Sequence, residues 1–158
     1  MRHGSGVLSQ KTRYAIRAMQ HLADHYGQRI VPLSEIAEAQ KIPPKFLTVI
    51  LSELTRFGIV ESQRGKDGGY RLSIPPIDIT YGDLIRVMRG SLALVPCASR
   101  FAHEKCKNCL EEHDCRTRAL MLQVRDATAE LLDGVRLSDP IQPVGDEDIG
   151  AAAPQAKA

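Results

Sequence analysis

The sequence predicts a mainly α fold: a winged helix-turn-helix with a small β-hairpin wing and a long C-terminal helix suited to dimerisation. Three observations carry this expectation. Two apolar-periodic segments are separated by the tight break Lys41-Ile42-Pro43-Pro44. A basic, glycine-rich turn, Arg64-Gly65-Lys66-Asp67-Gly68-Gly69, joins two short runs of strand-forming residues. Near the C-terminus Leu120, Val124, Ala127 and Leu131 step by four, three and four residues, a heptad-like seam. Together these divide the chain into a winged helix-turn-helix over 9–80, a cysteine loop with a dimerisation helix over 81–136, and a disordered tail over 137–158.

Each element has its own justification. Residues 9–26 read as a helix because Ala15, Ala18, Met19, Leu22 and Tyr26 recur at helical spacing, with Ser9 as N-cap and Gly27 as stop. A second helix is expected at 34–40, capped by Ser34, with Ile36 and Ala37 inward. Proline suits the first turn of a helix, so Pro44 opens the third, which runs to Phe57. Its apolar stripe is Phe46, Leu47, Ile50, Leu51 and Leu54, and Gly58 ends it. The period then changes. Residues 59–63 and 70–72 read as strands around the glycine-rich turn, a hairpin signal. Thr80 with Asp83 three residues on resembles a capping box and starts a short helix to Arg89. The last helix covers 116–135, and after Pro140 the composition shifts to Pro, Gly, Asp and Ala.

Composition bounds the class. Hydrophobic residues make up 43%, enough for a core, but aromatics are only 4% and Trp is absent, so aliphatic side chains must fill it. No apolar run approaches the roughly 18 residues that would span a bilayer. The N-terminus lacks the apolar stretch of a secretory signal, so the expected compartment is the cytoplasm, with no membrane partner. Residues 1–80 hold eleven Lys/Arg against seven Asp/Glu, whereas residues 81–158 hold ten against twelve. A mildly basic first half is compatible with nucleic acid and equally with a solvated surface.

A helix that reads DNA must enter a major groove about 12 Å wide and present polar side chains there. Within 44–57, Lys45, Thr48, Ser52 and Arg56 share one side at helical spacing, opposite the apolar stripe. Arg64 and Lys66 sit at the hairpin tip, placed for phosphate or minor-groove contact. Such a helix face alone is more often merely solvated; the full order of helix, helix and basic hairpin makes DNA the better reading. Nothing catalytic stands out: no nucleophile elbow and no phosphate-binding glycine loop between strand and helix. His21 and His25 are four apart on the first helix and could chelate a metal, but no third ligand is near in sequence, so they read as a surface pair.

The four cysteines, Cys97, Cys106, Cys109 and Cys115, crowd into nineteen residues as C-x8-C-x2-C-x5-C. Disulfides rarely persist in the cytoplasm. Thiolates ligate iron–sulfur clusters, make closed zinc sites, for which Cys106-x-x-Cys109 is a good spacing, or act as bare redox switches. The loop alone leaves these open. His103 and His113 lie inside it, and Lys105, Lys107, Arg116 and Arg118 flank it, a setting that favours thiolates. Cys115 is expected at the start of the last helix, where the dipole adds to that.

The stretch Ile42-Pro43-x-x-Phe46-Leu47-x-x-Ile50-Leu51-x-x-Leu54-x-x-x-Gly58-Ile59-Val60-x-Ser62-x-Arg64-Gly65-x-x-Gly68-Gly69-Tyr70-x-Leu72 resembles the signature of the Rrf-two family, bacterial transcription regulators of the IscR, NsrR and RirA type. Arg13-Tyr14-Ala15 and Leu33-Ser34-Glu35-Ile36-Ala37 fit the same pattern, and the resemblance extends from about Ser9 to Leu132. It implies a homodimer on a pseudo-palindromic operator in double-stranded DNA, and a cysteine loop holding an iron–sulfur cluster, 2Fe–2S or 4Fe–4S, that senses iron, redox state or nitric oxide. The family pattern has three cysteines, which Cys97, Cys109 and Cys115 match; Cys106 is extra. Where the IscR type places a histidine ligand this chain has Arg118, and where the NsrR type places an acidic one the nearest residue is Arg13. Neither can ligate, so the fourth ligand is Cys106, a solvent or small-molecule ligand, or absent, with Cys106 favoured. The competing expectations are a zinc- or thiol-switched winged-helix repressor and a small iron–sulfur carrier protein.

Overall fold

The structure is a computed structural model and describes residues 8–107, 109 and 111–143. Its elements follow in the order α1 (Gln10–Asp24), α2 (Leu33–Gln40), α3 (Pro44–Arg56), β1 (Val60–Gln63), β2 (Gly69–Leu72), α4 (Tyr81–Arg89) and α5 (Arg116–Gly134), with short 3-10 turns at Pro76–Asp78 and Pro96–Ala98. This is the mainly α winged helix-turn-helix that the sequence predicts. Among the described residues no helix is long and apolar enough to cross a membrane.

The helix ends follow local chemistry. Ser9 caps α1, its hydroxyl accepting from the Thr12 amide at 3.2 Å. Pro44 occupies the first turn of α3, where its missing N–H costs nothing. Thr80 and Asp83 form the full capping box of α4: the Asp83 amide donates to the Thr80 hydroxyl at 3.0 Å, and the Thr80 amide to the Asp83 carboxylate at 3.2 Å. Two expectations fail here. Ser34 is not a cap; α2 starts one residue earlier, with Pro32 in extended conformation at the cap position. Tyr26 is not on the buried face, because α1 ends at Asp24 and Tyr26 lies beyond it, exposed.

α1 is the centre of the packing, touching α2, α3, α4 and β2. Ala15, Ala18, Met19 and Leu22 of α1 meet Ile36 of α2, Leu47, Ile50, Leu51 and Leu54 of α3, Val60 and Leu72 of the hairpin, and Leu84 of α4 in one cluster. The hairpin pairs Val60 with Leu72 and Gln63 with Gly69 in antiparallel register. Strand β2 is fastened near its turn end by a further bridge: Val31 and Tyr70 exchange both backbone hydrogen bonds at 2.9 Å. Gly69 is required there, since a β-carbon would run into the Val31 carbonyl.

α4 carries the C-terminal part. The Arg86 guanidinium grips Asp133 of α5 with both nitrogens at 2.7 Å and holds that carboxyl below the usual range. The chain leaving α5 then returns to pair Arg136 with Thr80, and the Leu137 amide donates to the Ile79 carbonyl at 2.8 Å. The tail expected from 137 therefore begins as a docked segment with Leu137 buried; its positions 144–158 lie outside the described residues. No residue of α5 is buried, and Leu120 and Leu131 of the predicted seam are 55% and 69% exposed.

Because Leu51 is fully buried among α1 and α3 neighbours, Leu51→Ala is expected to destabilise the fold by about 2–5 kcal/mol. Thr80→Ala, which removes one cap, should cost about 1 kcal/mol. Urea unfolding followed by far-ultraviolet circular dichroism ranks the two.

Candidate nucleic-acid interface and cysteine loop

α3 buries Leu47, Ile50, Leu51 and Leu54, and this orientation turns Lys45, Thr48, Ser52 and Arg56 outward, all exposed. The Thr48 hydroxyl donates to the Pro44 carbonyl at 2.9 Å, which leaves its oxygen free to accept. One expectation is corrected. Phe46 is 55% exposed and lies with Val49 on the outer side, next to Lys11 and Lys45. Four side chains already fill the contact with α1, and Phe46 sits one helical step to the side of that stripe. The outer face therefore mixes cationic, hydroxyl and apolar groups, and apolar contacts on a groove-reading face suit thymine methyls. Arg64 and Lys66 lie exposed between β1 and β2. An ion pair between Glu61 and Arg71 links the strands below them.

The cysteine loop is strapped to α5 by arginines. Arg118 Nε donates to the Cys97 carbonyl at 3.1 Å, and Arg125 Nη1 donates to the Ala98 carbonyl at 2.7 Å. Arg100 reaches Asp126 of α5 at 3.0 Å. Together these hold the Pro96–Ala98 turn against the helix. Arg118, standing where a ligand might be sought, is thus a strap, and it faces Glu112 at 3.9 Å as well.

The thiols have distinct settings. Cys97 is 6% exposed and lies beside Cys106; burial first, and then the Cys106 neighbour, push its thiol up from the ordinary value. Cys115 is the N-cap of α5, its sulfur accepting from the Arg118 amide at 3.4 Å. Cys109 is exposed. Among the described residues no three cysteines converge into one ligand group; Cys97 and Cys106 lie beside each other. His103 is engaged with Glu112 at 3.0 Å and His113 with Asp114 at 3.2 Å. The donor set is soft: a buried sulfur next to a second one, and a third at a helix N-terminus.

The histidine pair of α1 turns out differently from its sequence reading. The chain reversal after α1 brings Glu35 of α2 against both rings, so a third ligand type is present. Its distance along the chain hid it.

A basic winged helix joined through α4 to an exposed long helix, with a thiol-rich loop lying on that helix, defines the class of DNA-binding transcriptional regulators. The family model described as "Rrf2: Iron-dependent Transcriptional regulator" matches residues 8–143, and the chain belongs to the Rrf2 (Rrf-two) family. The chain is 34% identical over 132 residues to the HTH-type transcriptional regulator CymR of Bacillus subtilis, covering 84% of this chain and 87% of that protein. It is also 34% identical over 132 residues to the transcriptional regulator IscR of Aliivibrio salmonicida, covering 84% and 75%. Among solved structures, CymR, titled the global cysteine regulator of B. subtilis, superposes with a TM-score of 0.68 at 33% identity, covering 84% of this chain and 93% of that one.

The different thiol settings have a measurable consequence. At pH 8 Cys97 should be alkylated by iodoacetamide far more slowly than Cys109, because it is both buried and held neutral. Unfolding in guanidinium should equalise them. Peptide mass spectrometry after timed quenching reads both rates.

Proposed function

We propose that the chain acts as a homodimer that binds a pseudo-palindromic operator and that an iron–sulfur cluster held by its cysteine loop controls this binding. Lys45, Thr48, Ser52 and Arg56 face the major groove, and Arg64 and Lys66 contact the phosphate backbone or minor groove. The observation that carries the reading is the attachment of the loop to α5: Arg118 and Arg125 hold the backbone at Cys97 and Ala98, while Cys115 caps the same helix. Ligation at the loop and the position of α5 are therefore coupled. The exposed Leu120 and Leu131 supply a face for a second copy, and pairing through α5 would set the spacing of two reading heads, one or two helical turns of DNA apart.

Cys97, Cys109 and Cys115 would hold the cluster, with Cys106 as fourth ligand. The bound group would supply one-electron chemistry and sensitivity to oxidants and iron supply. The rest is done by the chain. The two arginines keep the Pro96–Ala98 turn on α5, and the Arg86–Asp133 pair keeps α5 on α4. The regulatory step is allosteric, a difference in α5 placement between ligated and unligated loop.

The closeness of Cys97 and Cys106 favours a second reading, a thiol switch. There, peroxide would take up two electrons and both thiol protons as the two sulfurs form a disulfide. A solved CymR from Staphylococcus aureus is titled an oxidized form.

Anaerobic purification followed by visible absorption with iron, sulfide and zinc assays separates these readings. A coloured protein with matching iron and sulfide is expected, and Cys106→Ala should lose or alter the spectrum. A colourless protein with one zinc ion per chain that is lost in Cys106→Ala or Cys97→Ala would sink the iron–sulfur assignment and leave a zinc site in the loop. A colourless, zinc-free protein that forms the Cys97–Cys106 disulfide would leave the thiol switch. Arg56→Ala should weaken operator binding, and Arg64→Ala or Lys66→Ala should each lower the salt slope by about 1. Absence of salt-dependent DNA binding in every cluster state would favour the carrier alternative.

A further inference from the structure

We propose that His21, His25 and Glu35 form a second metal site, for a divalent ion of the Zn2+ class, on α1 and α2. It is distinct from the cysteine loop strapped to α5 and stands whether or not that loop carries a cluster. His21 lies in the last turn of α1 and His25 is its C-cap, and their ring centroids are 4.8 Å apart. Glu35 reaches them from α2: its Oε1 lies 3.4 Å from His21 Nε2 and 4.0 Å from His25 Nε2. The three ligand atoms all lie within 4.8 Å of one another. Tetrahedral zinc with bonds of about 2.0–2.1 Å spaces its ligands by about 3.3 Å, so the cluster closes on an ion with sub-ångström to ångström side-chain movement.

The surrounding hydrogen bonds prepare the ligands. His25 Nδ1 is 2.8 Å from the His21 carbonyl. A carbonyl only accepts, so Nδ1 carries the proton and the Nε2 lone pair is left for a metal. His21 Nε2 is buried and has no hydrogen bond of good geometry among the described residues. A buried ring nitrogen without a partner is costly unless something fills its place. His21 Nδ1 lies 3.4 Å from Gln40 Nε2, which donates to it; ligation through His21 Nε2 requires this amide to flip, so that its oxygen accepts from Nδ1–H.

Glu35 is held in place by a neighbour. Arg29 binds it through both guanidinium nitrogens, at 2.8 Å to Oε2 and 2.6 Å to Oε1. Arg29 also opposes a cation. Its side chain is 44% exposed, and an exposed ion pair is weak enough to yield. Nη2 can release Oε1 to the metal while Nη1 keeps Oε2, a ligating carboxylate oriented by an arginine. The ion would then cross-link α1 to α2, the helix that precedes α3, and so fix the placement of the reading helix.

The test uses the full chain, reduced and freed of metal by chelator, alongside His25→Gln and Glu35→Gln. Co2+ titration should show one more equivalent bound by the wild type than by either variant. Thiolate-to-cobalt charge-transfer bands from the cysteine loop should be equal in all three. With Zn2+, the ring nitrogens of His21 and His25 should shift in long-range 1H–15N spectra, and the wild-type melting midpoint should rise more than those of the variants. Affinity at the additional site should fall at least tenfold in either variant. Equal stoichiometry and equal thermal response in the three proteins would overturn the proposal, as would ring shifts confined to His103 and His113.

Discussion

The burial of one face of α1 is the constraint on which the other elements depend. Ala15 and Ala18 are fully buried, and their small side chains let α3 and α4 approach closely while Met19 and Leu22 fill the remaining space. Each such apolar side chain, fully buried, contributes about 1.5–3 kcal/mol if it is of Leu or Met size. Thr12 is buried on the same helix, yet it is satisfied, since its hydroxyl meets that of Ser9 at 2.9 Å. The cap of α1 and its core face are thereby one local arrangement. Without α1 in place, α2, α3, the wing and α4 have no common surface to pack against.

The C-terminal part is held by different forces. Hydrophobic burial gives way to directed polar contacts: a two-pronged arginine–aspartate pair between α4 and α5, a single-residue backbone bridge, and arginines that cap carbonyls of the cysteine loop. Gly82 leaves the room this needs, since a β-carbon there would strike the Asp133 carboxylate. Partly buried two-pronged arginine contacts are more directional than apolar packing. They fix where α5 attaches without burying it, and its apolar residues stay on the surface.

Much of the reading domain was legible because its signals are local. Ser9, Pro44 and the Thr80–Asp83 box are chemical markers of helix starts, and α3's four buried leucine and isoleucine positions repeat at helical spacing. What the sequence hid depends on contacts between distant residues. Phe46 fits an apolar stripe by spacing, but the width of the stripe that is buried is set by how closely α1 approaches. The Val31–Tyr70 and Thr80–Arg136 bridges involve single pairs and leave no periodicity. Glu35 joins His21 and His25 only after the chain reverses between α1 and α2. In the loop, composition and spacing pointed to thiol chemistry, whereas the adjacency of Cys97 and Cys106, and the role of Arg118 as a strap, are matters of folded geometry.

The fastening of α5 at one end has a mechanical consequence. Asp133 and Arg136 attach the helix near its C-terminus, and the cysteines gather at its N-terminus, so the 19-residue helix is a beam with its pivot at one end and its load at the other. At 1.5 Å per residue it is about 28 Å long, so a swing of only about 4° carries the Cys115 end through about 2 Å. In the opposite sense, a change of about one bond length where the sulfurs lie turns the beam by only about 3–4°. A rigid rod of this kind would lose such small rotations in a loosely hinged mount; the two-pronged grip of Arg86 on Asp133 is what keeps play out of the joint.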